Sequence, residues 1–196
     1  FPTPLCPPRI DRSSGGCHDG RGRSVVWMVH ILTDSYIDTL LKETKPLPSN
    51  WETRLRTRSK SNMAFSQRDY PLTAPSGHEF NLVLRASLQS PLDFSVILVY
   101  SEDSQEYILR RYNGAHPSRH TNKWEKMLGQ SNYQLEVGFH IHMATERYQL
   151  AGLRIDGYAE STNRYQDIES ALRVLLVDCT FVIPDSARAQ MSFPGA

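Results

Sequence analysis

No apolar run in this chain approaches the roughly 20 residues that a helix needs to span a bilayer, so a membrane is not among the expected partners. Charge of one sign is not in excess either, since basic residues outnumber acidic ones by a formal net charge of +1. A strongly basic nucleic-acid binder is therefore not implied by the total, and any such role must rest on local charge. Cysteine is scarce: Cys6, Cys17 and Cys179 are scattered with no metal-type spacing. That excludes a disulfide framework and suggests a reducing, cytoplasmic setting, with Cys179 a reduced core residue on the apolar side of a helix. There is also no internal repeat, glycine-rich phosphate loop, metalloprotease motif or nucleophile elbow.

The first 27 residues lack hydrophobic periodicity and any apolar signal-peptide core, and instead carry Pro2, Pro4, Pro7 and Pro8 followed by Gly15, Gly16, Gly20 and Gly22. A segment that buries so little cannot offset its conformational entropy, so residues 1–27 are expected to be disordered. Met28 offers a second reading, in which everything before it is a non-native upstream extension. Residues 28–184 are long enough for one domain with a proper core, and residues 185–196 read as a flexible tail.

What is present is a block of strands flanked by helices. Thr33 or Asp34 caps a short helix with Tyr36, Ile37, Leu40 and Leu41 on one stripe, stopped by Pro46 and Pro48. From Trp51 to Lys60, arginines alternate with threonines and a leucine, which suits an edge strand with Arg54, Arg56, Arg58 and Lys60 on one face. Strands are expected at His78–Leu88, at Asp93–Tyr100 (apolar on both faces) and at Glu106–Tyr112, the last two forming a hairpin. Ile168, Ala171, Leu172, Leu175, Leu176 and Cys179 predict an amphipathic helix over Gln166–Cys179, capped near Thr162 or Asn163. The expected fold is α+β, an antiparallel sheet of about four or five strands with helices packed on one face.

The chemistry concentrates in Gln134–Met143. On a strand, Leu135, Val137, Phe139, Ile141 and Met143 point one way, while Glu136, His140 and His142 point the other. Two imidazoles and a carboxylate on an open face can move protons, bind a metal or grip an anion. His140 and His142 are the expected acid–base pair, with His120 as alternate. Zinc held by His140 and His142, with Glu136 as third ligand or else His116 or His120, is the other option. The preceding stretch supplies donors suited to phosphate: Arg110, Arg111, Tyr112, His116, Arg119 and Asn122, of which Arg110 and Arg119 are favoured. Glu146 and Arg147 could orient the histidines or touch substrate, although Thr145 capping a helical turn, with Glu146 in its first turn, is the plainer reading. Asp156-Gly-Tyr158 and Asn163-Arg-Tyr165 read as turns, and Tyr107, Tyr112 and Tyr148 could stack on bases.

Leu109-Arg-Arg-Tyr-Asn-Gly, His120-Thr-Asn122, Phe139-His-Ile-His-Met-Ala-Thr-Glu-Arg-Tyr148, Asp156-Gly-Tyr-Ala159 and the last helix together resemble a family of small uncharacterised prokaryotic toxin-like proteins, over approximately residues 80–181. The resemblance implies a cytoplasmic protein with RNA as a possible substrate and an antitoxin-like protein as a possible partner. It assigns no catalytic residue. Joined to the histidine pattern, it leads to an expected metal-independent ribonuclease or related phosphodiesterase. A noncatalytic RNA- or protein-binding module and a metal-dependent hydrolase are the alternatives.

Overall fold

The first helix begins where the sequence places its cap. In the computed structural model, which describes residues 30–58, 65–131 and 133–183 with only the backbone of 56–58, Thr33 Oγ1 accepts the Tyr36 N–H at 3.2 Å. Helix α1 (Asp34–Lys42) buries Ile37, Leu40 and Leu41. The expectations for residues 1–27, Met28, the cationic side chains of Arg56, Arg58 and Lys60, and the tail after residue 184 lie outside the described residues.

A two-residue strand β1 (Lys45–Pro46) follows, and a 3₁₀ turn at Glu52–Arg54 replaces the start of the expected basic strand, so β2 (Arg56–Arg58) is the part of it seen among the described residues. Then come β3 (Phe65–Thr73), β4 (Glu79–Ser87), β5 (Phe94–Glu102), β6 (Gln105–Asn113), β7 (His140–Met143) and β8 (Tyr158–Ser161). Strands β2 to β8 form one seven-stranded sheet in sequence order, with every neighbour antiparallel. A final β9 (Phe181–Val182) pairs in parallel with β1.

The fold is α+β as expected, with more strands than the sequence suggests. Strand β3 hides behind Pro71, a residue that normally demotes a strand. Here β2 covers only Gln67–Asp69, so Pro71 lies where β3 is itself an edge and its missing N–H costs no ladder bond. Strand β8 is four residues long and directly follows the Asp156-Gly157 turn, which masks its alternation.

Helix α4 (Ile168–Asp178) starts later than its pattern suggests. Its cap is Asp167, not Thr162 or Asn163: Asp167 Oδ1 accepts the Ser170 N–H at 2.7 Å, and Ser170 Oγ accepts the Asp167 N–H at 3.1 Å. Ala171, Leu172, Leu175 and Leu176 are buried on the side that packs against β5 and β6. They share one core with Leu82, Leu84, Val96, Leu98, Tyr100, Leu109 and Tyr112, and full burial of each leucine contributes roughly 2 kcal/mol. Cys179 is buried and unpaired as a disulfide, as expected.

Lys45 ties the helix ends together. Its Nζ donates to the carbonyls of Leu40 at 2.6 Å, Leu41 at 3.2 Å, Glu43 at 2.8 Å and Cys179 at 3.0 Å, joining the C-termini of α1 and α4. Burial pulls its ammonium down to about 8, so it stays mostly charged at neutral pH and complements the carbonyl ends of both helices.

The opposite sheet face was expected to be open. At its β6–β7 end it is roofed instead by the chain after Gly114. A side chain at Gly114 would bring a Cβ to 1.9 Å from the Leu92 carbonyl, so only glycine fits this reversal. The loop then runs into a short helix, α2 (Lys123–Met127). Among the described residues, no helix is long and apolar enough to cross a membrane.

Candidate functional site

Register on β6 and β7 selects the residues that meet. Arg111 lies opposite His142 and Asn113 opposite His140, which puts these four on one face because strand side chains alternate. Arg110 and Tyr112 take the other face. Tyr112 is buried and donates to Asp178 Oδ2 of α4 at 2.7 Å. Of the two adjacent arginines, Arg111 joins the histidines and Arg110 does not, contrary to the sequence preference.

The roofing loop delivers the third ring. The Leu135 N–H donates to the His120 carbonyl at 2.9 Å, the Asn122 N–H to the Tyr133 carbonyl at 2.7 Å, and Thr121 bridges Gln134. These bonds replace the first half of the expected histidine strand, so β7 begins only at His140. Ring centroids of His120 and His142 are 4.6 Å apart, those of His140 and His142 5.0 Å, and those of His120 and His140 5.7 Å. His116 approaches from the same loop with its centroid 5.1 Å from that of His140, and its Nδ1 is 2.8 Å from Ser118 Oγ. One nitrogen each from His120, His140 and His142 lies within 4.8 Å of the others.

Proton positions follow from the oxygens around the rings, because a ring nitrogen in contact with a carbonyl oxygen must carry the hydrogen. His140 Nδ1 meets the Gly138 carbonyl at 2.9 Å, and His142 Nδ1 meets the Asp156 carbonyl at 2.9 Å. His120 Nε2 faces Asn122 Oδ1 at 3.0 Å and the Gly157 carbonyl at 3.1 Å. Each ring therefore donates outward and keeps a lone pair on its second nitrogen: Nε2 of His140, Nε2 of His142 and Nδ1 of His120. Arg111 Nη2 also lies 3.2 Å from His142 Nδ1, but a protonated Nδ1 cannot accept from it. The guanidinium is held instead by the buried carboxylate of Asp156 at 2.7 Å.

All three rings are driven toward the neutral form. Burial above all, then the charge of Arg111, holds His142 down to about 2, and burial holds His140 down to about 4 despite the Gly138 carbonyl. Burial likewise lowers His120. His140 and His142 are only 3% and 4% exposed. An acid–base pair needs one partner protonated, and neither ring is at neutral pH.

His120 and His142 line a cavity of about 230 Å³ together with Arg111, Lys123, Arg154 and Asp156. Asp156 also holds Arg154 Nη2 at 3.2 Å, and Arg111 Nε is buried without a hydrogen-bond partner. With neutral imidazoles, the two arginines, Lys123 and Asp156 leave a cationic lining that suits an anion.

The other expected site residues have structural duties. Arg119 pairs with Glu136 at 3.3 Å on the surface, both more than half exposed, so neither joins the cluster, and of the third metal ligands considered His120 meets the pair and Glu136 does not. The Asn122 amide pairs with the Ala159 backbone on the free edge of β8, through Oδ1 at 2.8 Å and Nδ2 at 2.9 Å. Thr145 Oγ1 accepts the Tyr148 N–H and caps α3 (Glu146–Leu150). The Glu146 N–H donates to Asp34 Oδ1 at 2.8 Å and Glu146 Oε2 accepts the Asp34 N–H at 3.2 Å, so α1 and α3 cap each other. Arg147 pairs with Glu125 at 2.7 Å. Tyr107, Tyr112 and Tyr148 are buried, so no base-stacking platform forms from them. The residues that sequence reasoning missed are Asn113, Arg154 and Asp156. The only signal for Asp156 was its place before a glycine, which reads as a turn.

Comparison with protein-family models, with curated proteins and with solved structures finds no match for this chain.

Proposed function

We propose that this chain is a hydrolase of phosphate esters, with RNA-type phosphodiesters the first substrates to test. Its reaction centre is the cluster of His120, His140 and His142, and Arg111, Arg154 and Lys123 attract the anion. The observation that carries this reading is the meeting of three imidazoles, one nitrogen of each within 4.8 Å of the others, beside the half-buried guanidinium of Arg111, with His120, His142 and Arg111 bordering one cavity. Lone pairs orient an attacking oxygen, directly or through an ion they hold, and fixed cations stabilise the charge that grows on the phosphoryl oxygens as the new P–O bond forms and the ester P–O bond breaks. The nucleophile loses its proton and the departing ester oxygen gains one. Rings held so firmly in the neutral form neither take up the first proton readily nor supply the second, which weighs against a metal-independent pair formed by His140 and His142 and leaves both transfers to solvent water. The burial of Tyr107, Tyr112 and Tyr148 weighs against a module that only binds RNA.

The test is hydrolysis of total RNA and of bis(p-nitrophenyl) phosphate by the full chain, with and without added zinc. Wild-type protein should turn over at least one of these substrates, and Arg111→Met should lower the rate about 100-fold, as loss of one charge-stabilising donor does. Arg119→Ala, on the surface, should leave the rate unchanged. No turnover of either substrate under any condition would overturn the reading.

A further inference from the structure

We infer that His120, His140 and His142 form a three-histidine site for a divalent transition-metal ion, zinc first among them, with Nδ1 of His120 and Nε2 of His140 and His142 as ligand atoms. The site's use in catalysis rests on the hydrolase reading, whereas its existence does not.

The strongest support is the orientation of the rings. A histidine ligand characteristically donates its other N–H to a carbonyl or carboxylate, which fixes the tautomer and aims the lone pair. Here all three do so at once, to the carbonyls of Gly138 and Asp156 and to the oxygens of Asn122 and Gly157. Two buried rings and a half-buried one with no shared role would have no reason to present their lone pairs to one another, since facing acceptors repel and each forgoes a hydrogen bond. His140 Nε2 has a modest substitute in Asn113 Nδ2 at 3.3 Å, a contact that an ion would replace. Asn113 Oδ1 is separately held by Ser95 Oγ at 2.8 Å, so its amide is already oriented.

The spacing is also suitable. One nitrogen of each ring lies within 4.8 Å of one nitrogen of each of the others. In a tetrahedral site with Zn–N bonds of about 2.0–2.1 Å they would be roughly 3.4 Å apart, so the rings need to close by about an ångström or a little more. Two of them stand on one strand, and the third is on a loop pinned to residues 133–135, so the closure is a matter of ring rotation and not of refolding.

The donor set selects the kind of ion. It is all imidazole, which suits zinc, iron, nickel, cobalt or copper and not the oxygen-seeking magnesium or calcium. No carboxylate competes: Asp156 is engaged by Arg111 and Arg154, and Glu136 by Arg119. The Asp156 carboxylate also offsets the guanidinium that would otherwise sit uncompensated beside a dication. Three protein ligands leave a fourth position for water or substrate, the arrangement of catalytic zinc sites, and the cavity that His120 and His142 line provides the room.

The experiment is metal analysis of the full chain purified without chelators or added metal, followed by Co(II) titration of the stripped protein. Wild type should carry close to one zinc per chain or take up Co(II) stoichiometrically with the visible absorption of a four-coordinate ion. His142→Ala and His120→Gln should each weaken uptake at least 100-fold, and Glu136→Ala should bind as wild type does. If a histidine variant fails to fold, the wild-type cobalt spectrum still decides. Wild-type protein that takes up neither ion overturns the site. So does a variant without His142 that binds as wild type does. Phosphodiester hydrolysis by metal-free protein in EDTA would overturn the ion's use in catalysis and keep the hydrolase. A bound ion with no turnover of any phosphate ester would overturn the hydrolase and keep the site.

Discussion

The carbonyl of Asp156 lies 2.9 Å from Nδ1 of His142, while the carboxylate of the same residue is 2.7 Å from Arg111. One residue thus sets the tautomer of a ring through its backbone and neutralises the neighbouring guanidinium through its side chain. The two roles separate by mutation. Asp156→Asn keeps the carbonyl and removes the charge, so the fold should lose about 3 kcal/mol from the broken, largely buried ion pair while His142 keeps Nδ1–H. Urea denaturation reads the first effect. Unchanged stability would mean that Arg111 finds another partner.

Acid should unfold the metal-stripped protein in a characteristic window. An unfolded histidine titrates near 6.5, whereas His140 in the fold is held down to about 4. Above pH 6.5 both states are neutral and the full stability is present. As the pH falls from 6.5 toward 4, the unfolded chain binds a proton that the folded one refuses, so stability is lost over that interval. At about 1.4 kcal/mol per unit the loss for His140 is on the order of 3 kcal/mol, and His142 extends it to lower pH. Denaturation midpoints measured from pH 7 to 4.5 should fall steadily, and His140→Gln should flatten the slope. A flat wild-type profile contradicts the burial of neutral rings.

Lys45 carries a stability prediction remote from the site. Replacing it with methionine removes the donor shared by the carbonyls of Leu40, Leu41, Glu43 and Cys179 and leaves buried acceptors unpaired. The expected cost is about 3 kcal/mol, read as a lower midpoint in thermal or urea unfolding. A neutral result would show that water reaches these helix ends.

Hydrophobic periodicity made α1, α4 and strands β4 to β6 legible, because each buries a regular stripe of residues such as Leu82, Leu84, Leu172 and Leu175. It also placed His140 and His142 on one face. Strand β3 was hidden because Pro71 and its polar neighbours give no alternation, and only its position in the sheet explains it. The site was half legible for a similar reason. Residues on one strand share a face by rule, but Arg111 rather than Arg110 depends on register, and His120 rather than Glu136 depends on where a loop returns. Asp156 has no local pattern at all. Its role comes from two contacts, with Arg111 on β6 and His142 on β7, that are far from it in sequence.

The central claim concerns which nitrogens carry protons, and long-range ¹H–¹⁵N correlation spectra of the metal-free wild-type protein at neutral pH measure that directly. Neutral rings with Nδ1–H on His140 and His142 and Nε2–H on His120 are the predicted result. Imidazolium signals, or Nε2–H on His140 and His142, would mean that the lone pairs do not converge and that the centre described here is absent.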